Sequence, residues 1–365
     1  MGLEQGRISA TQLTMLIISF LLGTTLLFSP GGVAGRDSWI ALLVGMVEGL
    51  LFAFIYATLA VRFPGRPLIQ VFHSVYGSVG GKVIALFFLG YLFHLGSLVL
   101  TNFSFFFNTL ILIETPSAVI VFSIVAISVY AARHGLEVVA RCGQVLLPFA
   151  LFFFILTFIL LIKDFRLEHF QPVLAISAKR FFFAAHSAAV FPFGESVGFL
   201  LALPALSDPE KPWKCLLLGI IISTGVLVLS ALRNTGTLGI LQDIFFFPSF
   251  QATRQINVGQ ILTRVEILVA VNFLAMGFLK YTFLLYGVIL GTAEVFGLRE
   301  YRILGYPVGI LMGILSLLNF AGIHENFEFL EKVYPFYALP FQVGIPLFTL
   351  IIAMIRKLPR EGGET

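Results

Sequence analysis

Charge is what this chain has least of. Of 365 residues only 12% are charged and 58% are hydrophobic, where an ordinary soluble domain carries roughly 25% charged residues. Such a chain cannot cover itself with polar surface, so lipid must be its main environment. The formal net charge of +4 is too small and too dispersed for a nucleic-acid partner. Cysteine is almost missing: Cys142 and Cys215 both fall at predicted cytoplasmic helix ends, where a reducing compartment disfavours a disulfide, so a stapled fold is excluded. No His, Cys or acidic spacing makes a metal site. A nucleophile elbow, a Walker loop and a dinucleotide fingerprint are also lacking, so no enzyme reading finds support and no cofactor is expected.

What the chain has is long apolar runs. Runs of about 20 residues give ten spans, near 10 to 34, 38 to 61, 82 to 112, 116 to 131, 141 to 162, 181 to 203, 213 to 235, 260 to 290, 302 to 320 and 336 to 355. The long third and eighth must tilt or protrude. Lys and Arg favour the loops that share a side with the N-terminus, among them Arg62, Arg66, Arg133, Arg141, Arg299 and Arg356 to Arg360, which predicts both termini in the cytoplasm. Arg7 ahead of Leu13 to Leu22 has the form of a secretory signal, but reads better as the start of the first span.

Two of the spans are broken near their middle. The first carries Gly23-Thr24-Thr25 and then Ser29-Pro30-Gly31-Gly32; the sixth carries Phe191-Pro192-Phe193-Gly194-Glu195. Unwound backbone at bilayer depth is tolerated only where it is buried in protein or lines a cavity. Breaks in corresponding spans of two five-span halves mark a transporter-type solute site with inverted-repeat topology. The whole chain, 1 to 365, then forms one membrane domain with repeats at about 10 to 162 and 181 to 355. Gly23 is expected to adopt conformations closed to other residues, and Pro192 to remove a helix donor. Freed N–H groups suit a carboxylate and freed carbonyls an ammonium, so a zwitterionic amino acid satisfies both.

Charged groups at this depth are expensive and usually functional. Glu195, next to the second break, is a candidate proton carrier if desolvation raises its pKa; the alternative is a structural carboxylate. Glu48, midway along the second span, reads as a buried structural partner. Residues 62 to 81, with Pro67 ahead of Leu68, Ile69, Phe72 and Val75, predict a helix lying on the cytoplasmic membrane surface. The stretch from Gln242 to Gly259 is a candidate lid over an outer vestibule. His94 and His186 read as hydrogen-bonded helix histidines.

The residues also carry a family resemblance. Ile8-Ser9-Ala10-Thr11-Gln12, Gly23-Thr24-Thr25-Leu26-Leu27-Phe28-Ser29-Pro30 and Asp37-Ser38-Trp39-Ile40 look like the start of the spore germination permease family. Phe63-Pro64-Gly65, Phe193-Gly194-Glu195, Phe278-Leu279-Lys280 and Phe296 to Arg302 fit the same pattern, over nearly the whole chain. The resemblance implies membership of the amino acid/polyamine/organocation transporter superfamily and an all-α, integral membrane, LeuT-like fold: ten transmembrane helices in a 5+5 inverted repeat, the first and sixth broken. It implies the B subunit of a germinant receptor in the inner spore membrane, with an amino acid or another small nutrient as germinant and receptor A and C subunits as partners. In such a fold Gly23, Thr24, Thr25, Leu26, Pro192, Phe193 and Gly194 line the pocket, with Tyr91 and Leu95 of the third span. Lys280 is expected to border a cation position, contacting carbonyls freed around Gly23; its alternative is an ion pair with Glu48 or Glu195. Thr24-Thr25 departs from the small residues common in the superfamily and leaves ligand size open. A receptor subunit, a proton-coupled amino-acid symporter and a ligand-gated channel all remain compatible with these residues.

Overall fold

The computed structural model describes residues 6–208, 211–256 and 264–359. The start of the eighth predicted span, the end of the predicted lid and Arg360 lie outside the described residues.

Apolar runs become helices because bilayer depth leaves the backbone no partner but itself. In chain order these are α1 (Ala10–Leu22), α2 (Ser38–Arg62), α3 (Leu68–Leu110), α4 (Ser117–Arg133), α5 (Leu136–Leu160), α6 (Ala178–Val190), α7 (Pro212–Leu238), α8 (Pro248–Arg254), α9 (Glu266–Phe296), α10 (Gly305–Leu318), α11 (Ile323–Glu328), α12 (Tyr334–Tyr337) and α13 (Ile345–Ile355). Among the described residues the only extended pairing is one bridge, Ile8 to Leu206. Six stretches among the described residues are long and apolar enough to cross a bilayer, with α1, α4 and the α10 region as shorter apolar helices. The sixth predicted span is α6 followed, after the break, by a tight 3-10 helix at Phe193–Leu201.

Each helix starts or stops for a local reason. Ser9 and Gln12 form a reciprocal capping box at the start of α1, satisfying two orphan donors. Within α3, Gly77 has φ +80, a left-handed conformation that favours glycine; it bends Leu68 to Tyr76 away from the long span. The predicted surface helix therefore exists, but its apolar side faces protein, not lipid: Leu68, Ile69, Phe72 and Val75 are all buried, and the Phe72 ring packs edge-on against Phe88.

The last span begins earlier than hydropathy suggests. Helical backbone runs from Ile323 to Ile355 through two widened turns, where the N–H of Tyr334 reaches Phe329 O and that of Ile345 reaches Pro340 O. Pro335, Pro340 and Pro346 lack the N–H that a regular helix would use, and each widened turn lies beside one of them.

A seam of small residues on α2, Ala41, Gly45, Gly49 and Ala53, spaced by four, lets α2 approach α6 and the second break closely. A Cβ on Gly45 would meet Ala185 O at 2.5 Å, and one on Gly49 would meet Phe193 Cβ at 2.5 Å. Both described chain ends lie at one end of the bundle, where Arg62, closing α2, donates to Ala353 O and Arg356 to Val75 O. Ser38, opening α2, lines a cavity at the other end.

Candidate solute site between the two helix breaks

The first break follows Leu22. Gly23 keeps a right-handed conformation, φ −38 and ψ −72, so the expected backbone freedom is not what selects glycine here. A Cβ would lie 2.9 Å from both Cβ and Cδ of Lys280; glycine is needed for the close passage of the lysine stem. Beyond it the chain runs in loose turns, with the Thr25 hydroxyl donating to Leu21 O and both Leu27 and Phe28 N–H groups converging on Thr24 O. Gly31, at φ +72, turns the chain toward α2.

The second break follows Val190. Phe191 is extended (φ −125, ψ 108), Pro192 supplies no donor, and Phe193–Leu201 rewinds with Glu195 in its first turn. Gly194 leaves room for Gln342, since a Cβ would fall 2.0 Å from Gln342 Oε1.

Lys280 crosses from α9 to join the breaks. Its Nζ lies 2.5 Å from Glu195 Oε2 and donates to Thr24 Oγ1 at 3.3 Å. It stands 5.0 Å from the centroid of Phe20 and 5.2 Å from that of Phe191, inside cation–π reach of both. Lys280 and Glu195 are each 1% exposed. The second carboxylate oxygen accepts from the Tyr334 hydroxyl at 2.7 Å. From there the bonds continue to Tyr91 (3.1 Å) and from Gln342 Nε2 to both Tyr91 (2.8 Å) and Val190 O (3.1 Å). Tyr56 donates to Gln342 O at 2.9 Å and Gly194 O at 3.2 Å. One buried network thus ties the first break, the second break, α2, α3, α9 and the last span.

The predicted site residues are brought together unequally. Thr24, Glu195, Lys280 and Tyr91 belong to the network; Gly23, Pro192, Phe193 and Gly194 shape its walls; Thr25, Leu26 and Leu95 are buried, and the Thr25 hydroxyl bonds Leu21 O in place of the network. Lys280 meets the Thr24 hydroxyl and a carboxylate where carbonyls around Gly23 were expected, because an ammonium in low dielectric is better matched by an opposite charge. Glu48 is not its partner. It pairs with His186 Nδ1 at 2.7 Å, and its side chain is 34% exposed, so it is less buried than expected. His94 Nδ1 pairs with the Tyr337 hydroxyl at 2.9 Å.

Sequence reasoning missed Tyr334, Gln342 and Tyr56. For Gln342 a signal was present, a lone amide in an apolar run. Tyr334 was hidden because Glu325, Glu328, Glu331 and Lys332 make the first half of its helix read as a loop. Replacing Tyr334 with Phe removes its bond to the Glu195 carboxylate, worth about 1.5–3 kcal/mol for a charged acceptor, and its bond to Tyr91; a lowered thermal midpoint of the purified protein is the expected result.

A vestibule leads toward the network. A cavity of ≈ 540 Å³ is lined by Ser29, Gly32, Ser38, Arg180, Gln242 and Asp243, and by Phe327, Glu331 and Lys332. A smaller one of ≈ 60 Å³ shares Ser29, Gly32, Phe327 and Glu331 with it and ends on Phe28 and Phe191. Phe191 therefore separates the vestibule from Lys280. The predicted lid segment walls this vestibule: the Phe246 ring packs on His324 and Phe327 at 4.8 and 4.7 Å, and Phe247 packs on Phe28 at 5.7 Å.

Among solved structures the chain is similar to MhsT in complex with L-phenylalanine (13% identity, TM-score 0.70, 98% of this chain and 91% of that one). It is also similar to a nucleobase-cation-symport-1 family transporter with bromovinylhydantoin bound (13%, 0.66, 98% and 93%) and to a substrate-bound Na+-coupled sialic acid symporter (11%, 0.69, 94% and 79%). These likenesses show a transporter fold of the LeuT type. In sequence it is 29% identical to spore germination protein KB of Bacillus subtilis over 98% of both chains, and 22% identical to spore germination protein B2 of that organism over 97% of both. The family model described as spore germination protein matches residues 7–321. With its transporter fold, its two broken helices and that match, this integral membrane chain belongs to the spore germination permease family.

Proposed function

We propose that this chain is the B subunit of a spore germinant receptor, and that it binds a small nutrient germinant, an amino acid, between its two helix breaks. It acts from the inner spore membrane with both termini in the cytoplasm, and receptor A and C subunits read its conformational change. Its two repeats run from about 10 to 162 and from about 181 to 355. The observation that supports this reading is the buried Lys280–Glu195 pair placed between the breaks. A buried ion pair is weak as a stabiliser because both charges lose their water, yet each charge is one half of what a zwitterion offers. The germinant carboxylate takes the Lys280 ammonium, its ammonium takes Glu195 against the faces of Phe20 and Phe191, and the two breaks then move relative to α9.

The proton-coupled symporter is the second reading. The Glu195 carboxylate, buried beside the second break and bonded to the Tyr334 hydroxyl, favours it, since an ionisable group at bilayer depth is usually functional. Glu195→Gln tests both. As a receptor subunit, the variant is expected to bind the germinant at least tenfold more weakly, and by the same factor across the pH range. Weakened binding only at low proton concentration, with loss of gradient-driven uptake, makes Glu195 a proton carrier. An unchanged response at every pH removes Glu195 from the site.

A further inference from the structure

Behind the vestibule wall lies a second buried charge, and among the described residues it has no counter-ion. Arg233 of α7 is 2% exposed. Its Nε and one Nη donate to Asn234 Oδ1 at 3.2 and 3.1 Å, the other Nη donates to Thr157 Oγ1 at 3.2 Å, and a longer bond of 3.4 Å reaches Ser230 Oγ. The guanidinium carbon stands 5.3 Å from the centroid of Phe154. Every acceptor is neutral, and Arg233 forms no ion pair among the described residues. Neutral oxygens satisfy the donors of a guanidinium but leave its full charge in a low dielectric, which is expensive. Residues 257–263, which follow α8 in sequence and lie outside the described residues, hold no acid.

A buried donor without a partner among the described residues lies on the vestibule wall itself. Gln242, 7% exposed, accepts from the Thr235 hydroxyl at 3.1 Å, while its Nε2 has no acceptor. Gln242 and Pro248 line the vestibule. Ser249, the next residue, accepts from Asn234 Nδ2 at 3.0 Å and pairs with Ser230. Ser249 thus joins the vestibule wall at Pro248 to the hydrogen-bonded partners of Arg233, and its hydroxyl and that of Ser230 can rotate to donate.

We propose that Arg233, with the hydroxyls of Ser230 and Ser249, holds a small monovalent anion of halide size that enters from the vestibule past Gln242. This site is independent of the germinant reading above. Whatever binds the folded chain and not the unfolded one stabilises it by mass action. Chloride labelled with 36Cl is therefore expected to bind the purified protein in nanodiscs saturably without germinant, and the thermal midpoint to rise in sodium chloride over sodium gluconate at equal sodium. Arg233→Gln should abolish both effects, and Ser249→Ala should weaken chloride at least tenfold should the first variant fail to fold. Gly90→Ala, with nothing within 4 Å of its added Cβ, should leave the chloride dependence intact. An absence of saturable chloride binding by the folded protein, or unchanged binding in whichever of the two pocket variants folds, overturns the proposal. Acetate binding in place of chloride overturns the assignment to a halide.

Discussion

Lys280→Met lowers the stability of the purified protein by about 3–5 kcal/mol, the usual consequence of removing one partner of a buried pair, and weakens solute binding at least tenfold. The loss is large because Glu195, at 1% exposure, keeps among the described residues only the Tyr334 hydroxyl as a hydrogen-bond partner for its side chain. Deleting the ammonium also strands the aromatic faces of Phe20 and Phe191, which then meet no cation. The double variant Lys280→Met/Glu195→Gln separates the two effects. Replacing both members of a buried pair by neutral groups of similar volume is often close to neutral, so most of the stability returns while solute binding stays lost. Thermal unfolding together with equilibrium binding reads the cycle. Full binding by the double variant would contradict a role for the pair in recognition.

Gly45→Val has the second largest expected effect, and it lies away from any charge. A Cβ at this position already meets the backbone oxygen of Ala185 at 2.5 Å and the Ala188 Cβ at 3.0 Å, so the clash cannot be relieved by rotating a side chain. Overpacking of this kind costs about 1–3 kcal/mol, occasionally more. Because α6 carries the second break, pushing it from α2 also moves Glu195 away from Lys280. Thermal midpoint and solute affinity should therefore fall together. Gly90→Ala is the matched control, since nothing lies within 4 Å of its added Cβ; its stability should stay within about 0.5 kcal/mol. Equal effects at the two glycines would contradict the close α2–α6 seam.

Much of this arrangement was legible in the residues, and the exceptions have physical causes. The breaks were legible because proline and paired glycines interrupt apolar runs that otherwise keep their hydrogen bonds internal. Lys280 and Glu195 stood out because charge at bilayer depth is rare. Their mutual pairing was left open against Glu48, since sequence does not say which charged residues of three helices meet. Gly23 was legible as a special position but for the wrong reason: its dihedral angles are ordinary, and what matters is the lysine stem 2.9 Å from where a Cβ would be. Tyr334 escaped because acidic residues around it lower local hydropathy, although the helix passes through them from Ile323. The surface helix before Gly77 was misassigned because an amphipathic pattern reports that one side is buried and does not report whether lipid or protein covers it.

The proposed function has a small zwitterionic solute bind where Lys280 and Glu195 meet, sensed there with little net transport. Its most direct test is binding and uptake of labelled amino acids by the purified protein in liposomes, with and without a proton gradient, beside Lys280→Ala. Saturable binding without accumulation, lost in the variant, is the predicted result. Gradient-driven accumulation, or binding that survives Lys280→Ala unchanged, would contradict it.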